Sequence, residues 1–269
     1  MRISRRHSLA ALAAGVGMGA SSAPAQVPTE KDEGEGPVIK IRLIVSDVGG
    51  TLIQDHGEVP AAMLGAFSRH GMTVTAAEFS EWRGASKRGM VQHFVGLRGP
   101  ATGRPALIDA IYGDFVTTVS RAYTNVQPIA GAEDTLKQLR AAGYLIATST
   151  GFDRQLNSQI MKKLGWEQYF AASITSDDVV DGRPAPFMIY RAMEGAHVDD
   201  ISSVLVVGDT PLDLQAGDNS GAAAVIGVFS GAASEDRLRR ERSTGVLPSI
   251  AHLPALLKNG LPVAQWRCR

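Results

Sequence analysis

Short apolar runs that end in polar residues recur along the chain. Three of them, rich in β-branched residues, span residues 41–46, 145–151 and 204–208. A continuous apolar run of this length is typical of a strand buried on both faces, as in a parallel sheet. Helical segments lie between the runs. The pattern therefore predicts an α/β fold, with a Rossmann-like parallel sheet flanked by helices.

A different pattern occupies residues 54–128, between the first two runs. Apolar residues recur there in three stripes, which are Val59, Met63, Leu64 and Phe67; Val91, Phe94 and Val95; and Leu107, Ile108, Ile111, Phe115 and Val119. Spacings of three and four residues place each stripe on one face of a helix. We expect an α-helical cap domain, 54–128, inserted into a core domain formed by residues 38–53 and 129–269.

The first 37 residues show neither pattern. Residues 1–25 begin with a Ser-Arg-Arg sequence, continue with a short Ala- and Gly-rich run and end in Ala-Pro-Ala. This order is typical of a signal peptide, and the paired arginines resemble the twin-arginine export signal. We expect cleavage after residue 25, a flexible linker over 26–37 and a periplasmic location. If translation starts nearer Val38, the protein is cytoplasmic instead.

The overall composition excludes several classes of protein. The chain has 269 residues, of which 44% are hydrophobic, and its 27 Lys and Arg balance 27 Asp and Glu. A net charge of zero provides no general attraction to nucleic acid or to an anionic membrane, so the expected partner is a small molecule. The single cysteine, Cys268, excludes an intrachain disulfide and a thiolate-rich zinc site.

Candidate chemistry begins where the first apolar run ends. Asp47 follows that run, and Gly49, Gly50 and Thr51 come next. Ligands of open α/β sheets bind at the carboxyl ends of the strands, which is where this carboxylate would lie. The two glycines would let backbone N–H groups approach an anion closely.

The third run predicts a cation site. It ends at Asp209, and Asp213 follows four residues later on the first turn of a helix. Together with Asp47, these carboxylates would form the all-oxygen ligand set that Mg²⁺ prefers. The alternative for Asp213 is a purely structural role at the helix N-terminus, where negative charge is favoured.

Four motifs, in order and each at a strand end, resemble those of the haloacid dehalogenase (HAD) superfamily of hydrolases. They are Asp47-Val48-Gly49-Gly50-Thr51-Leu52, Ser149-Thr150-Gly151, Gly182-Arg183-Pro184 and Gly208-Asp209-Thr210-Pro211-Leu212-Asp213. The resemblance implies that Asp47 is the nucleophile of an aspartyl-phosphate mechanism, in which Thr150 and Arg183 stabilise the phosphoryl group. It implies further that Mg²⁺ is held by Asp47, the Gly49 backbone carbonyl, Asp209 and Asp213. The expected substrate- and phosphate-binding residues are Gly49, Gly50, Thr51, Gly151 and Arg83.

Two of these residues have alternative roles. Thr150 could act as the N-cap of the helix predicted over 153–164, and this role is compatible with phosphate binding. Arg183, taken alone, could form a surface salt bridge.

The cap motif Arg83-Gly84-Ala85-Ser86-Lys87 is similar to that of the phosphonoacetaldehyde hydrolase branch. This resemblance implies a Schiff base between Lys87 and a substrate aldehyde, followed by phosphoryl transfer to Asp47. The position of Gly49 agrees with it, because most phosphatases of the superfamily carry a second aspartate there as general acid–base. An enamine leaving group needs no proton from that position.

Arg83 suggests how Lys87 is activated. It lies four residues before Lys87, so on one helix the two would share a face. A neighbouring cation lowers the pKa of a lysine, as a Schiff-base amine requires, and we therefore hypothesise that Arg83 helps to activate Lys87. The phosphonoacetaldehyde hydrolase branch has methionine where Arg83 stands and histidine where Met90 stands. Because of these two differences, the resemblance does not fix the exact substrate of this chain.

The sequence thus predicts a Mg²⁺-dependent hydrolase that cleaves the P–C bond of phosphonoacetaldehyde or a close analogue. The alternatives are a phosphatase for a small phosphomonoester such as phosphoglycolate or a sugar phosphate, a 2-haloacid dehalogenase and an inactive phosphate-binding homologue. Gly49 argues against the phosphatase. The Asp209 and Asp213 pair argues against the dehalogenase, which needs no metal. The family resemblance also implies a homodimer formed through the cap.

Overall fold

The structure is a computed structural model of the chain and describes residues 40–261. The predicted signal peptide, the predicted linker and Cys268 lie outside the described residues. The described residues belong to one compact unit, so the division into core and cap domains stays a prediction. Among these residues, no helix is both long and apolar enough to cross a bilayer.

A six-stranded parallel sheet forms the centre of the fold, which confirms the predicted fold class. The strands are β1 (Leu43–Ser46), β2 (Leu145–Thr150), β3 (Ala172–Thr175), β4 (Val204–Gly208), β5 (Ala224–Val228) and β6 (Gly245–Leu247). Their order in the sheet is β3-β2-β1-β4-β5-β6. The first strand is two residues shorter at its start than the run 41–46 predicted.

The pairing register brings the ends of three strands to one place. Strand β1 lies between β2 and β4, and Ser46 at its end pairs with Thr148 and with Val207. Since all three strands run in the same direction, the residues that follow them emerge side by side at the carboxyl edge of the sheet.

Helices cover both faces of the sheet because alternate residues of a strand point to opposite sides. Ile44 packs in a cluster with Leu136 and Leu156. Its neighbour Leu43 packs on the other face, with Ile189 and Leu214. The helices of these layers are α5 (Ala132–Ala141), α6 (Arg154–Leu164), α7 (Phe187–Gly195), α8 (Pro211–Ser220), α9 (Glu235–Leu238) and α10 (Leu253–Asn259).

Four further helices lie between β1 and β2. They are α1 (Glu58–Arg69), α2 (Ala76–Glu81), α3 (Lys87–Arg98) and α4 (Arg104–Ala122). Helix α4 packs against α1 and α3, and Phe67 meets Phe94 edge to face with 5.7 Å between ring centroids. Most residues of the three apolar stripes are buried here, while Leu64, Leu107 and Ile108 are partly buried.

The two ends of this helical segment are tied together beside the sheet. Ile53 forms an antiparallel bridge with Pro128, and the Ile129 N–H donates to the Leu52 carbonyl over 2.9 Å. The Gln54 N–H donates to the Gln127 carbonyl over the same distance. Residues 54 and 128, where the sequence predicts the cap to begin and end, therefore lie next to each other.

Candidate active site

Asp47 follows β1 directly and is held in place by its own backbone. Its N–H donates to the Val207 carbonyl over 2.9 Å, which continues the pairing between β1 and β4 by one residue. The side chain is 6% exposed. Arg183 donates from Nη2 to Asp47 Oδ1 over 2.7 Å, so this carboxylate is buried together with a cation.

Asp209 emerges from β4 beside Asp47. Its Oδ2 accepts the Ala232 N–H over 2.6 Å, and its Oδ1 accepts the Thr51 hydroxyl at 3.4 Å. These contacts fix the carboxylate from two sides. Burial, followed by repulsion from Asp47, raises the pKa of Asp209 well above its usual range.

Asp213 has the structural role at the helix N-terminus that the sequence allowed, and its role as a cation ligand stays a prediction. It lies in the first turn of α8, where its Oδ2 accepts the Thr210 N–H over 3.0 Å in a capping box. Its Oδ1 forms an ion pair with Nη1 of Arg183, which lines the cavity. Burial raises the pKa of Asp213 to about 6, and the charge of Asp47 adds to this effect.

The three carboxylates form a ligand set that fits a divalent cation. Asp47, Asp209 and Asp213 each offer an oxygen atom, and these atoms lie within 4.8 Å of one another. All three residues are buried, and Arg183 supplies one positive charge against their three negative charges when all are ionised. A divalent cation would balance the remainder, and oxygen donors are those that Mg²⁺ prefers. The Gly49 carbonyl as a further ligand stays a prediction.

Arg183 is buried between the strand ends, so the alternative of a surface salt bridge is wrong. Its guanidinium contacts Asp47, Asp213 and the Ser149 carbonyl, the last over 2.6 Å. A planar guanidinium can bridge several oxygens at once because its donors point in fixed directions. It links the ends of β1 and β2 with the start of α8.

Thr150 ends β2 and faces the same cavity as Asp47. Its hydroxyl accepts the Phe152 N–H over 3.2 Å. The alternative role of Thr150 as a helix cap is wrong. Helix α6 begins at Arg154, and its N-cap is Asp153, whose Oδ1 accepts the Leu156 N–H over 2.7 Å.

The glycines of the site differ in what they do. Gly49 and Gly151 line the cavity, as expected for residues that contact a substrate. The N–H of Gly50 donates to the Ile53 carbonyl over 2.7 Å, and a Cβ at Gly50 would lie 2.4 Å from Asp209 Oδ2. Gly50 thus permits the close approach of Asp209 and does not offer its N–H to an anion. Thr51 is fully buried and donates to Asp209, so the expectation that Gly50 and Thr51 bind phosphate directly is wrong.

Lys87 is a buried residue that lines the same cavity as Asp47. It is the first residue of α3 and is 6% exposed, and its Nζ donates to the Ala85 carbonyl over 3.0 Å. The Nζ also lies 5.7 Å from the centre of the Phe152 ring. Burial, aided by the positive charge of Arg183, lowers the pKa of Lys87 from its ordinary value of 10.5 to about 8.

Arg83 does not share a helix with Lys87, so the argument for its activating role is wrong. Helix α2 ends at Glu81 and α3 begins at Lys87, with Gly84 in the left-handed region at φ +86° between them. The cation that lowers the lysine pKa is Arg183. Arg83 is partly exposed at the edge of the cavity, with its guanidinium 5.8 Å from the centre of the Phe79 ring.

Among the cavity residues that sequence reasoning did not name as site residues are Asp55 and Phe152. Phe152 packs over Gly49, where a Cβ would lie 3.3 Å from the ring. Asp55 lies in the connection that leads from the sheet into α1. An acidic residue so soon after the Asp47 motif was the available signal, since this connection must pass the carboxyl edge of the sheet.

The cavity is small. It encloses about 50 Å³, which is room for a few waters or one small molecule. Carboxylates of the strand ends form one wall, and Lys87 and Arg83 lie on the other. Such a site can hold an anionic group next to a nucleophilic carboxylate and present a second reacting group to an amine.

Comparisons with known proteins agree with this geometry. A family model described as haloacid dehalogenase-like hydrolase matches residues 41–221. The chain is 29% identical to the phosphonoacetaldehyde hydrolase of Paraburkholderia phytofirmans over 207 residues, which are 71% of this chain and 76% of that protein. It is 27% identical to the phosphonoacetaldehyde hydrolase of Bacteroides fragilis over 227 residues, or 78% of this chain and 83% of that one.

Solved structures show the same fold. A phosphonoacetaldehyde hydrolase-like protein from Oleispira antarctica superimposes with a TM-score of 0.71 at 23% identity, covering 83% of this chain and 92% of that one. A predicted phosphoglycolate phosphatase from Haemophilus somnus superimposes with a TM-score of 0.67 at 17% identity, covering 81% and 98%. At these identities the likeness concerns the fold.

Proposed function

The chain belongs to the haloacid dehalogenase-like hydrolase family, and from that premise we propose that it hydrolyses the P–C bond of phosphonoacetaldehyde or a close analogue. The observation that carries the proposal is the buried amine of Lys87, in the same cavity as Asp47 and with its pKa lowered to about 8. An amine must be neutral to attack an aldehyde, and a lowered pKa makes more of it neutral near pH 7. The names of the curated relatives support this substrate.

The chemistry begins at Lys87. Its neutral amine adds to the aldehyde carbon, and loss of water gives a protonated imine. That cation can accept the electron pair of the P–C bond when the bond breaks, which a neutral aldehyde does less well. Asp47 attacks the phosphorus from the other side of the cavity, so the phosphoryl group passes to its carboxylate and an enamine remains on Lys87.

The strand ends would stabilise the phosphoryl group during its transfer. Arg183 already contacts Asp47 and is positioned to pair with phosphoryl oxygens, and the Thr150 hydroxyl faces the same space. Preorganised donors of this kind act where charge develops in the transition state. A Mg²⁺ held by Asp47, Asp209 and Asp213 would supply further positive charge to the same oxygens.

The second half of the reaction consumes one water for each product group. Water attacks the phosphoryl-aspartate and releases phosphate from Asp47. The enamine takes a proton at carbon, and hydrolysis of the resulting imine releases acetaldehyde and frees Lys87. The net change is the addition of one water to phosphonoacetaldehyde.

Gly49 supports this reaction over ester hydrolysis. An alcohol leaving group needs a proton, and Gly49 has no side chain to supply one. Phe152 instead packs over this position, next to Lys87. Burial of the amine favours its neutral form, because burial penalises the charged form.

The test uses the full chain with Mg²⁺ and phosphonoacetaldehyde, and follows acetaldehyde and phosphate together. A parallel reaction contains borohydride, which reduces any imine to a stable adduct, and peptide mass spectrometry locates the adduct. We expect equal yields of both products and an adduct on Lys87, which Lys87→Met lacks. Phosphate release from phosphoglycolate or a sugar phosphate, with neither aldehyde turnover nor adduct, would overturn the proposal in favour of the phosphatase.

A further inference from the structure

Asp55 is a carboxylate of the catalytic cavity that the proposed reaction has not used so far. The acidic residues that line this cavity are Asp47, Asp55 and Asp209. Asp47 is the proposed nucleophile and Asp209 belongs to the cation site. Imine formation needs a group that accepts and returns protons, and Gly49 leaves the usual position for one without a side chain.

The backbone around Asp55 fixes its position relative to the sheet. Ile53, two residues earlier, pairs with both Gly49 and Pro128. The Asp55 Oδ1 accepts the Gly57 N–H over 2.9 Å, which sets the orientation of the carboxylate. Within residues 40–261, that is the only hydrogen bond the carboxylate accepts, so Oδ2 is available to a molecule in the cavity.

The charge of Asp55 reaches the buried interior of the site. It acts on the Lys87 amine, where it opposes the effect of burial on the pKa. It also acts on Tyr123, whose pKa is raised by burial and next by Asp55. Tyr123 is 2% exposed and packs edge to face on Phe152, with 5.9 Å between ring centroids. The Asp55 carboxylate therefore lines the same cavity as Lys87 and Phe152, and its charge acts on the lysine amine.

On the basis of the proposed function, we propose that Asp55 is the general acid–base residue that carries protons between Lys87 and the substrate oxygen. The Lys87 ammonium first loses its proton to solvent, which leaves a neutral amine. The amine adds to the aldehyde and a C–N bond forms. The Asp55 carboxylate takes a proton from the nitrogen of this adduct and gives it to the oxygen, which produces the carbinolamine.

The proton that the ammonium released then returns from solvent to Asp55 and completes the dehydration. Protonated Asp55 gives it to the hydroxyl group, the C–O bond breaks, and water leaves. The nitrogen lone pair forms the C=N bond, so the product is a protonated imine and Asp55 is again a carboxylate. One positive charge enters on the ammonium and one leaves on the imine, so protons and charge balance without any other reactant.

The test measures how fast borohydride-reducible imine forms on Lys87 in the full chain. We expect Asp55→Asn to slow imine formation and aldehyde turnover by about 10²-fold or more, the range typical of general acid–base residues. The amide can still accept from the Gly57 N–H, so the local structure is retained. Formate added to Asp55→Ala should restore part of the rate, because it brings a carboxylate into the space left by the side chain.

The matched control is Glu58→Gln, which removes a nearby acid that accepts the His56 N–H and does not line the cavity. We expect its imine formation to equal that of the unmodified chain. Equal trapping rates in Asp55→Asn and the unmodified chain would overturn the role of Asp55. Absence of any adduct in the unmodified chain would instead overturn the proposed function.

If Asp55→Asn does not fold, Asp55→Glu decides the question. It keeps an acid and moves it by one methylene. A slower trapping rate in this variant, at unchanged thermal stability, supports proton transfer by Asp55. An unchanged rate shows that the residue serves only the turn at Gly57.

Discussion

The two walls of the cavity are built in different ways. The phosphoryl wall consists of Asp47, Thr150, Arg183 and Asp209, together with Asp213, which pairs with Arg183. Four of these residues end a strand or open the helix that follows one, and Arg183 ties them together. The aldehyde wall consists of Asp55, Arg83 and Lys87, which lie in connections and at a helix start within the segment between β1 and β2.

The contact between the walls depends on two glycines. A Cβ at Gly84 would lie 2.3 Å from Thr210 Oγ1, and one at Gly151 would lie 2.4 Å from the Ala85 carbonyl. Both distances are too short for any side chain. The walls therefore approach as closely as backbone allows at these two positions. The comparison teaches that the sheet positions the residues of the proposed phosphoryl chemistry, whereas packing of the inserted helices positions the amine.

The largest effect should come from breaking the phosphoryl wall alone. Asp47→Asn removes the nucleophile, and we expect phosphate release to fall by at least about 10⁴-fold. Imine formation on Lys87 should persist, because the aldehyde wall is intact, and borohydride trapping measures it. Phosphate release above about one hundredth of the original rate would contradict a nucleophilic role.

Removing the Lys87 amine should lower activity less than removing Asp47 does, and it should increase the stability of the fold. Lys87→Met removes the imine, and we expect aldehyde turnover to fall by about 10³-fold. The protonated lysine destabilises the fold, since its pKa is lower in the folded state, at about 8, than its ordinary 10.5. That difference corresponds to at most about 3 kcal/mol, so Lys87→Met should be more stable below pH 8. The gain should shrink as pH rises from 8 and vanish above 10.5, as chemical denaturation can measure.

The pH dependence of turnover should show whether the neutral amine of Lys87 limits the reaction. With a pKa of about 8, about one tenth of Lys87 is neutral at pH 7 and about nine tenths at pH 9. We expect kcat/KM for phosphonoacetaldehyde to rise by about tenfold over this interval and then to level. A profile that is flat from pH 7 to 9 would show that the amine does not limit the reaction.

The smallest effect should come from Arg83. Because it is partly exposed and lies on no helix with Lys87, we expect Arg83→Met to change kcat for the aldehyde by less than about threefold. The pH at which kcat/KM levels should stay the same, since Arg183 and burial lower the lysine pKa. A shift of that pH upward in Arg83→Met would restore the activating role that helical spacing suggested.

Local patterns were sufficient for the sheet and for the phosphoryl wall. Apolar runs predicted β1, β2 and β4, and the residues that end them, Asp47, Thr150 and Asp209, meet in the structure. Parallel strands in register must bring their carboxyl ends together, so the sequence order of the motifs was enough to place them. The apolar stripes of α1, α3 and α4 were also predicted correctly, because the buried face of a helix follows its periodicity.

Assignments that depended on a side chain's exact partner were less successful. Thr150 was the cap that the sequence offered for α6, whereas the structure has Asp153 in that position. Gly50 and Thr51 adjoin the nucleophile in the sequence, but the turn directs them towards Asp209. Arg83 is four residues from Lys87, yet the break at Gly84 separates them.

The sequence by itself thus determined that the polar residues ending β1, β2 and β4 meet at one edge of the sheet, because this follows from short-range periodicity and from the common direction of parallel strands. Only the tertiary structure decided which cation lowers the pKa of Lys87 and which free carboxylate shares its cavity. Arg183 and Asp55 lie 96 and 32 residues from Lys87 along the chain. Electrostatic effects depend on distance and burial in space, and neither can be read from separation along the chain.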